Sequence, residues 1–252
     1  MRFEDFDKKM RMYENSIDQK VVQDIHIVAR LDGRSFTKLT KETMQYEAPF
    51  DEKFRDVMVE VTKELMAETG FRIVYGYTQS DEISLLFASD ENTFNRKVRK
   101  INSVLAGEAS AIISLALGIK AVMDCRVVPL PNLDRIADYF EWRQEDAARN
   151  ALNSWCYWTL RKSGMTVSQA TSELKEKSVS YKNELLFRHG INFNDLPLWQ
   201  KRGCGVYYTE VEKTGFNPIK NEYVKTKRKA LTVDYELERG DKYKEFIYNI
   251  VL

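Results

Sequence analysis

Ile25-His26-Ile27-Val28-Ala29-Arg30-Leu31-Asp32-Gly33-Arg34-Ser35-Phe36 is the stretch from which the fold is read. Ile25, Ile27, Ala29 and Leu31 alternate with His26, Val28, Arg30 and Asp32. A period of two predicts a strand, and the turn pair Asp32-Gly33 ends it.

The chain on either side completes the pattern. After a polar loop through Pro49, the residues Phe54, Val57, Met58, Val61 and Leu65 form one apolar stripe of a helix, with Asp51 as N-cap and Gly70 as stop. Phe71 to Thr78 is aromatic and β-branched, which predicts a second strand. Gln79-Ser80-Asp81-Glu82 turns the chain, and Ile83, Leu85 and Phe87 alternate in a third. A helix follows to Leu117, basic at first (Arg96, Lys97, Arg99, Lys100) and then rich in small residues such as Gly107 and Ala111, which suit close packing on a sheet. Val122 to Val128 is a fourth strand, closed by Pro129 and Pro131. The order β-α-β-β-α-β predicts an α+β fold with a split βαβ, ferredoxin-like sheet and helices on one face. Its first strand and central hairpin lie side by side, so Asp32 and Asp81 meet at one sheet edge.

The remainder reads differently. Leu133 to Gly164 is helical, with shorter helical pieces at 168–177 and 182–187. Val206-Tyr207-Tyr208 and Tyr223-Val224 read as a small hairpin, followed by the basic run Lys225 to Lys229. The expected organisation is a catalytic domain over 1–130 and a mainly helical portion over 131–252 packed on it.

Composition bounds the function. The chain has 252 residues and is 43% hydrophobic, enough for a sizeable core. Its 39 basic and 38 acidic residues cancel, so any charge footprint for nucleic acid must be local. Cys125, Cys156 and Cys204 lack C-x-x-C spacing, and only His26 and His189 are histidines, which argues against zinc chemistry and a disulfide framework. The N-terminus mixes acids with aromatics, and the apolar stretch from Ala109 to Leu117 is interrupted by serine. A cytoplasmic protein with no membrane partner is expected.

The chemistry centres on two carboxylates. Magnesium takes oxygen ligands, usually one or two carboxylates plus substrate phosphates, and paired ions activate a hydroxyl and stabilise a leaving pyrophosphate. Asp32 and Asp81 suit that role, with the Gly33 carbonyl as a further ligand. Glu82 is a weaker choice, because its strand parity points it away from Asp81. Each turn alone also reads as ordinary turn chemistry. Backbone amides over Arg34, Ser35, Phe36 and Thr37 suit a triphosphate, with Phe36 under a base or in the core. The basic helix start at Arg96 to Lys100 suits phosphate or is a solvated face. P-loop and Rossmann signatures are absent from the sequence.

Four segments in series carry a resemblance: Arg30 to Phe36, Gln79 to Glu82, Tyr139-Phe140-Glu141-Trp142-Arg143-Gln144-Glu145-Asp146, and Lys182-Asn183-Glu184-Leu185-Leu186-Phe187. Together they resemble the tRNA-His guanylyltransferase superfamily, whose members add nucleotides to the 5′ end of tRNA in the 3′-to-5′ direction. The resemblance implies a polymerase-like palm domain and two Mg2+ ions on Asp32, the Gly33 carbonyl and Asp81. It implies nucleotide contacts along Asp32 to Thr37, at Ser80 and Asp81, and at Lys97, Lys100, Lys182 and Asn192. It also implies ATP or GTP as activating or incoming nucleotide, tRNA as partner and a homotetramer.

Three departures shape the expected branch. Ala148-Arg149-Asn150-Ala151 stands where eukaryotic members have His-Ile-Asn-Asn. Thr37 replaces a histidine, and the lysine before the family's Pro-Asn-Asp is missing near Pro49. The pattern resembles the bacterial and archaeal like-protein branch, which repairs truncated tRNA 5′ ends by templated addition. Guanylyl addition to tRNA-His is the alternative. A nucleotide cyclase or 5′-to-3′ polymerase on a similar palm would use the same carboxylates. A non-catalytic RNA-binding module would rest on the basic runs alone.

Overall fold

The computed structural model describes residues 2–217 and 222–251. It builds an α+β fold on one six-stranded antiparallel sheet of order β4-β1-β3-β2-β5-β6. Helix α1 (Phe3–Glu14) precedes β1 (His26–Gly33), which leads into short α2 (Phe36–Lys38) and a π-helical turn (Leu39–Thr43). Then come α3 (Glu52–Glu68), β2 (Ile73–Gln79), β3 (Glu82–Phe87), α4 (Val98–Leu117) and β4 (Met123–Leu130). The long α5 (Leu133–Lys162) is followed by α6 (Val167–Leu174), α7 (Val179–Arg188) and α8 (Leu198–Arg202). Strands β5 (Cys204–Asn217) and β6 (Glu222–Asp234) and helix α9 (Asp241–Val251) end the chain.

The β-α-β-β-α-β order holds for the first four strands, and β1 sits between β3 and β4. The expected cap Asp51 accepts from the amides of Lys53 and Phe54. Helices α3 and α4 cover one sheet face, with Met58, Val61, Leu65, Ile101, Leu105 and Ile113 against Ile27, Ala29 and Leu31. Helices α5 and α9 of the C-terminal portion cover the other, where Ile136, Phe140, Tyr243 and Ile247 meet Val28, Tyr75, Tyr77 and Leu86. Val28 is therefore as buried as Ala29 and Leu31, and β1 is a two-sided core strand.

Two local expectations change. The small residues of α4 do not all serve the sheet: Gly107 is exposed, and a Cβ built there meets nothing within 4 Å. The tie to β4 is Ser110, whose Oγ donates to Ala106 O at 2.6 Å and accepts from Met123 N at 2.9 Å. The helix expected from about Thr93 begins only at Val98, after a separate 3-10 turn over Thr93–Arg96; by length and composition alone α4 could cross a membrane, but its stripe Ile101, Leu105, Ala109, Ile113 and Leu117 is buried on the protein's own sheet.

The hairpin is long, not small. β5 joins β2 only from Tyr75↔Tyr207 to Thr78↔Cys204, while its register with β6 runs from Gly205↔Asp234 to Asn217↔Glu222. Beyond Tyr208 the two strands form a ribbon roughly 30 Å long at ~3.3 Å per residue. Its solvated pattern of glutamates and lysines hides it from a hydrophobic reading. The C-terminal portion thus adds two strands to the same sheet, and its helices α5, α6 and α7 share a core of Leu152, Cys156, Leu160, Leu174 and Leu186.

Candidate active site

The antiparallel register sets Asp32 opposite Glu82, so the end of β1 abuts the β2–β3 turn. The Gly33 amide donates to the Asp81 carbonyl at 3.1 Å. Ser80 takes a left-handed φ of 55°, and its hydroxyl donates to Asp81 Oδ1 at 3.0 Å. Glycine is required at 33 by space: a Cβ there would lie 2.5 Å from Phe36 Cδ2 and 2.9 Å from Asp81 Cβ. The missing side chain lets the Phe36 ring and the Asp81 turn close on the strand end together.

Asp81 is the electrostatic centre. Burial pushes its carboxyl up to about 6, Ser80 opposes the rise, and repulsion from Asp32 and Glu82 adds to it. Among the described residues neither Asp32 nor Asp81 has an ion-pair partner. Paired carboxylates without a protein cation suit a divalent ion. No group of three His, Cys, Asp or Glu side chains poised to hold a metal occurs among the described residues, so substrate oxygens would have to complete the shell.

Glu82 turns to the other side, as its parity requires. It accepts from Arg30 Nη2 and lies 3.4 Å from Arg143 Nη2, and Arg143 also pairs with Asp146 on its own helix. The Trp-Arg-Gln segment of α5 is thereby tied to the strand end: Arg143 grips Glu82, and Gln144 Nε2 donates to Glu238 O at 2.8 Å.

A cavity of about 500 Å³ opens beside Asp81. Of the predicted site residues, Phe36, Thr37, Ser80 and Asp81 line it, whereas Asp32, Gly33, Arg34 and Ser35 are not among its lining residues. Phe36 is both core and wall, buried against Phe54 with ring centroids 6.0 Å apart. The sequence reading missed Lys41, Arg55, Tyr157, Trp158 and Arg161, which also line the cavity. The one available signal was the aromatic cluster of α5, which gives no hint of the loop it faces.

Not every predicted contact converges. The Arg34 amide already donates to Val122 O at 2.9 Å, so it is not free for a phosphate; the Arg34 and Ser35 side chains are exposed near the site. Lys97 and Lys100 lie at the opposite end of β1, because the preceding Arg96 binds the carbonyls of Val21 and Ile25. Lys97 pairs with Asp18 at 2.6 Å, and Lys100 sits over the Phe94 ring at 5.5 Å. Within one chain they are roughly 20 Å from Asp32, the length of strand between. Lys182 on α7 is outside the cavity wall, held against α5 by Cys156, whose thiol donates to the Lys182 carbonyl at 3.3 Å. Asn192 caps a short 3-10 turn and donates to Asp195 at 2.9 Å, also outside it.

Comparison with known proteins gives the family of the chain. Residues 7–131 match the family model described as tRNAHis guanylyltransferase, and residues 134–245 match the Thg1 C terminal domain. A probable tRNA(His) guanylyltransferase of Drosophila melanogaster is 35% identical over 197 residues, covering 74% of this chain and 68% of its own length. One from Dictyostelium discoideum is 33% identical over 215 residues, 80% of this chain and 83% of its own. The structure of a bacterial tRNA(His) guanylyltransferase (Thg1)-like protein in complex with ATP superposes with a TM-score of 0.76 at 29% identity, covering 97% of each chain. That of the Saccharomyces cerevisiae enzyme gives 0.69 at 26% identity over 77% of this chain and 91% of its own. This chain belongs to the tRNA(His) guanylyltransferase family and is a nucleotidyltransferase.

Proposed function

We propose that this protein transfers a nucleotide to the 5′ end of a tRNA, with guanylyl addition to tRNA(His) as its leading reaction. The observation that carries the reading is the half-buried Asp81 carboxyl, which has no ion-pair partner among the described residues, lies next to Asp32 and Gly33 and lines a nucleotide-sized cavity. The names of the relatives support the guanylyl reaction in particular.

Asp32, Asp81 and the Gly33 carbonyl would hold magnesium, and the donor set fits its preference for one or two carboxylates plus substrate phosphates. When bound, two such ions neutralise phosphate charge and activate the attacking hydroxyl. The chain's own residues then position the reactants, which is most of the work in phosphoryl transfer. Ser80 orients the Asp81 carboxylate, and Gly33 leaves the room for it. Phe36 closes the floor. Thr37 and the α5 side chains hold the nucleotide, GTP or ATP, away from bulk water. The projecting β5–β6 ribbon supplies RNA contacts: register places Lys225, Lys227 and Lys229 on one face with Glu210 and Glu212, and Arg228 and Lys229 have no ion pair among the described residues. Phosphate contacts of this kind weaken steeply with salt.

A second reading is templated repair of 5′-truncated tRNAs. Thr37 and Ala148 to Ala151 favour it, as does the coverage of this chain by the bacterial like-protein structures, 97% to 98% against 77% for the yeast enzyme. Labelled nucleotide addition to full-length tRNA(His) and to 5′-truncated tRNAs, with the growing end mapped, tests both. Guanylate on the 5′ end of tRNA(His) supports the leading reaction, template-matched addition to truncated ends supports the second, and growth at the 3′ end overturns both.

A further inference from the structure

We propose that Arg161 reads the base of the bound nucleotide and selects guanine through its O6 and N7 atoms. The inference deepens the reading above and rests on it, since it takes the polyphosphate to lie at Asp32 and Asp81.

The two ends of the cavity differ in chemistry. At the inner end, Asn153 and Ser154 of α5 line the cavity with Ser80 and Asp81. Two turns further along α5, about 10 Å at ~1.5 Å per residue, Arg161 reaches the outer end. There Lys162 Nζ donates to Ala48 O at 2.8 Å and ties the helix to the loop that forms the opposite wall. A nucleotide whose phosphates occupy the inner end must place its base outward. The outer wall carries Tyr157 and Trp158, whose faces suit a base plane.

Three cations line the cavity, and two are already engaged. Lys41 donates to Glu47 O at 2.5 Å. Arg55 lies over the rings of Trp199 and Tyr235, at 4.7 and 4.9 Å, and pairs with Asp56. The Arg161 side chain, half-buried, makes no hydrogen bond, ion pair or ring contact among the described residues. A half-buried guanidinium with no protein acceptor can meet a ligand acceptor without breaking an existing contact, and a charge-assisted hydrogen bond is among the stronger kinds. Its planar fork offers two parallel N–H donors. Guanine presents two adjacent acceptors, O6 and N7, whereas adenine presents a donor at N6 beside N7. The fork therefore matches guanine and mismatches adenine.

The test is equilibrium binding to the full-length protein with magnesium, for GTP, inosine triphosphate (which keeps O6 and N7), ATP and inorganic tripolyphosphate. The wild type is compared with Arg161→Gln, Arg161→Lys and Asp81→Ala, each checked for folding by circular dichroism. Arg161→Gln weakens GTP and inosine triphosphate by about tenfold or more and leaves ATP and tripolyphosphate within about twofold. Arg161→Lys restores only part of the loss, because an ammonium lacks the fork. Equal loss for all four ligands, tripolyphosphate included, assigns Arg161 to phosphate and overturns the proposal. No change in either Arg161 variant, with binding abolished in Asp81→Ala, overturns Arg161 alone and leaves the site intact. Wild-type binding that survives Asp81→Ala for every ligand overturns the site and the proposal together.

Discussion

The two ends of β1 are built from opposite charges and treat them oppositely. At the Gly33 end, Asp32 and Asp81 crowd together with no ion-pair partner among the described residues, and burial holds the Asp81 carboxyl up at about 6. At the His26 end the cations are already matched. Arg96 donates to the carbonyls of Val21, Glu91 and Ile25. Lys97 and Arg99 grip Asp18 at 2.6 and 2.7 Å, and their hydrogen bonds hold its carboxyl below the usual range. Matched charge is structural, because its energy is already realised in the fold. Unmatched charge at a cavity is held ready for a ligand. Counting charged residues along the sequence does not separate the two.

The sharpest way to break this contrast is to delete the unmatched charge. Asp81→Ala or Asp32→Ala lowers nucleotide addition by about a thousandfold or more, the scale on which removing transition-state charge stabilisation acts. Filter binding then shows tRNA affinity close to wild type. Loss of tRNA binding in parallel would mean that these carboxylates hold the fold, not the chemistry.

Deleting matched charge should do the reverse. Arg96→Ala leaves buried carbonyls without a donor and costs about 3 kcal/mol in urea unfolding. The folded fraction keeps its turnover number. A fall in turnover without a fall in stability would move Arg96 into the catalytic machinery.

The desolvated Asp81 carboxyl also gives the metal-free protein a pH signature. Its folded value, about 6, lies above the ordinary aspartate value of 3.8. The native state thus keeps a proton that the unfolded chain releases, so this group's contribution to stability is fully present below about pH 4 and is lost as pH rises to about 6, by about 2–3 kcal/mol. Urea midpoints measured in a chelator across that range, for wild type against Asp81→Asn, isolate the effect as a difference in slope. Identical slopes would show that burial does not load this carboxylate.

Gly33→Ala probes the crowding around the turn. Its Cβ forces Phe36 and the Asp81 turn apart, at about 1–3 kcal/mol in stability. Turnover falls further than stability accounts for, which single-turnover kinetics on the folded protein reads. The smallest effect belongs to Lys97→Ala and Lys100→Ala. If one chain forms the site, nucleotide affinity stays within about twofold of wild type, since charges that far apart are screened. A larger loss would place a second copy's helix α4 at the Asp81 cavity and would accord with the tetramer that the family resemblance implies.

Some of this was open to a reader of the bare chain. Alternation around Ile27 and Ile83, the stripe from Phe54 to Leu65 and the turns at Asp32-Gly33 and Ser80-Asp81 are local patterns, and local patterns follow from backbone geometry and turn chemistry. They determined the split βαβ order and the meeting of Asp32 with Asp81. The tertiary structure alone decided which charges are already matched: that Lys97 belongs to Asp18, that Glu82 belongs to Arg30 and Arg143, and that Arg161 is left facing a cavity. It also decided that a polar hairpin extends the sheet into a long ribbon. The physical reason is one of range. Periodicity is set by neighbours a few residues away, whereas a side chain's partner depends on how elements distant in sequence pack, and that packing is set by the whole core at once.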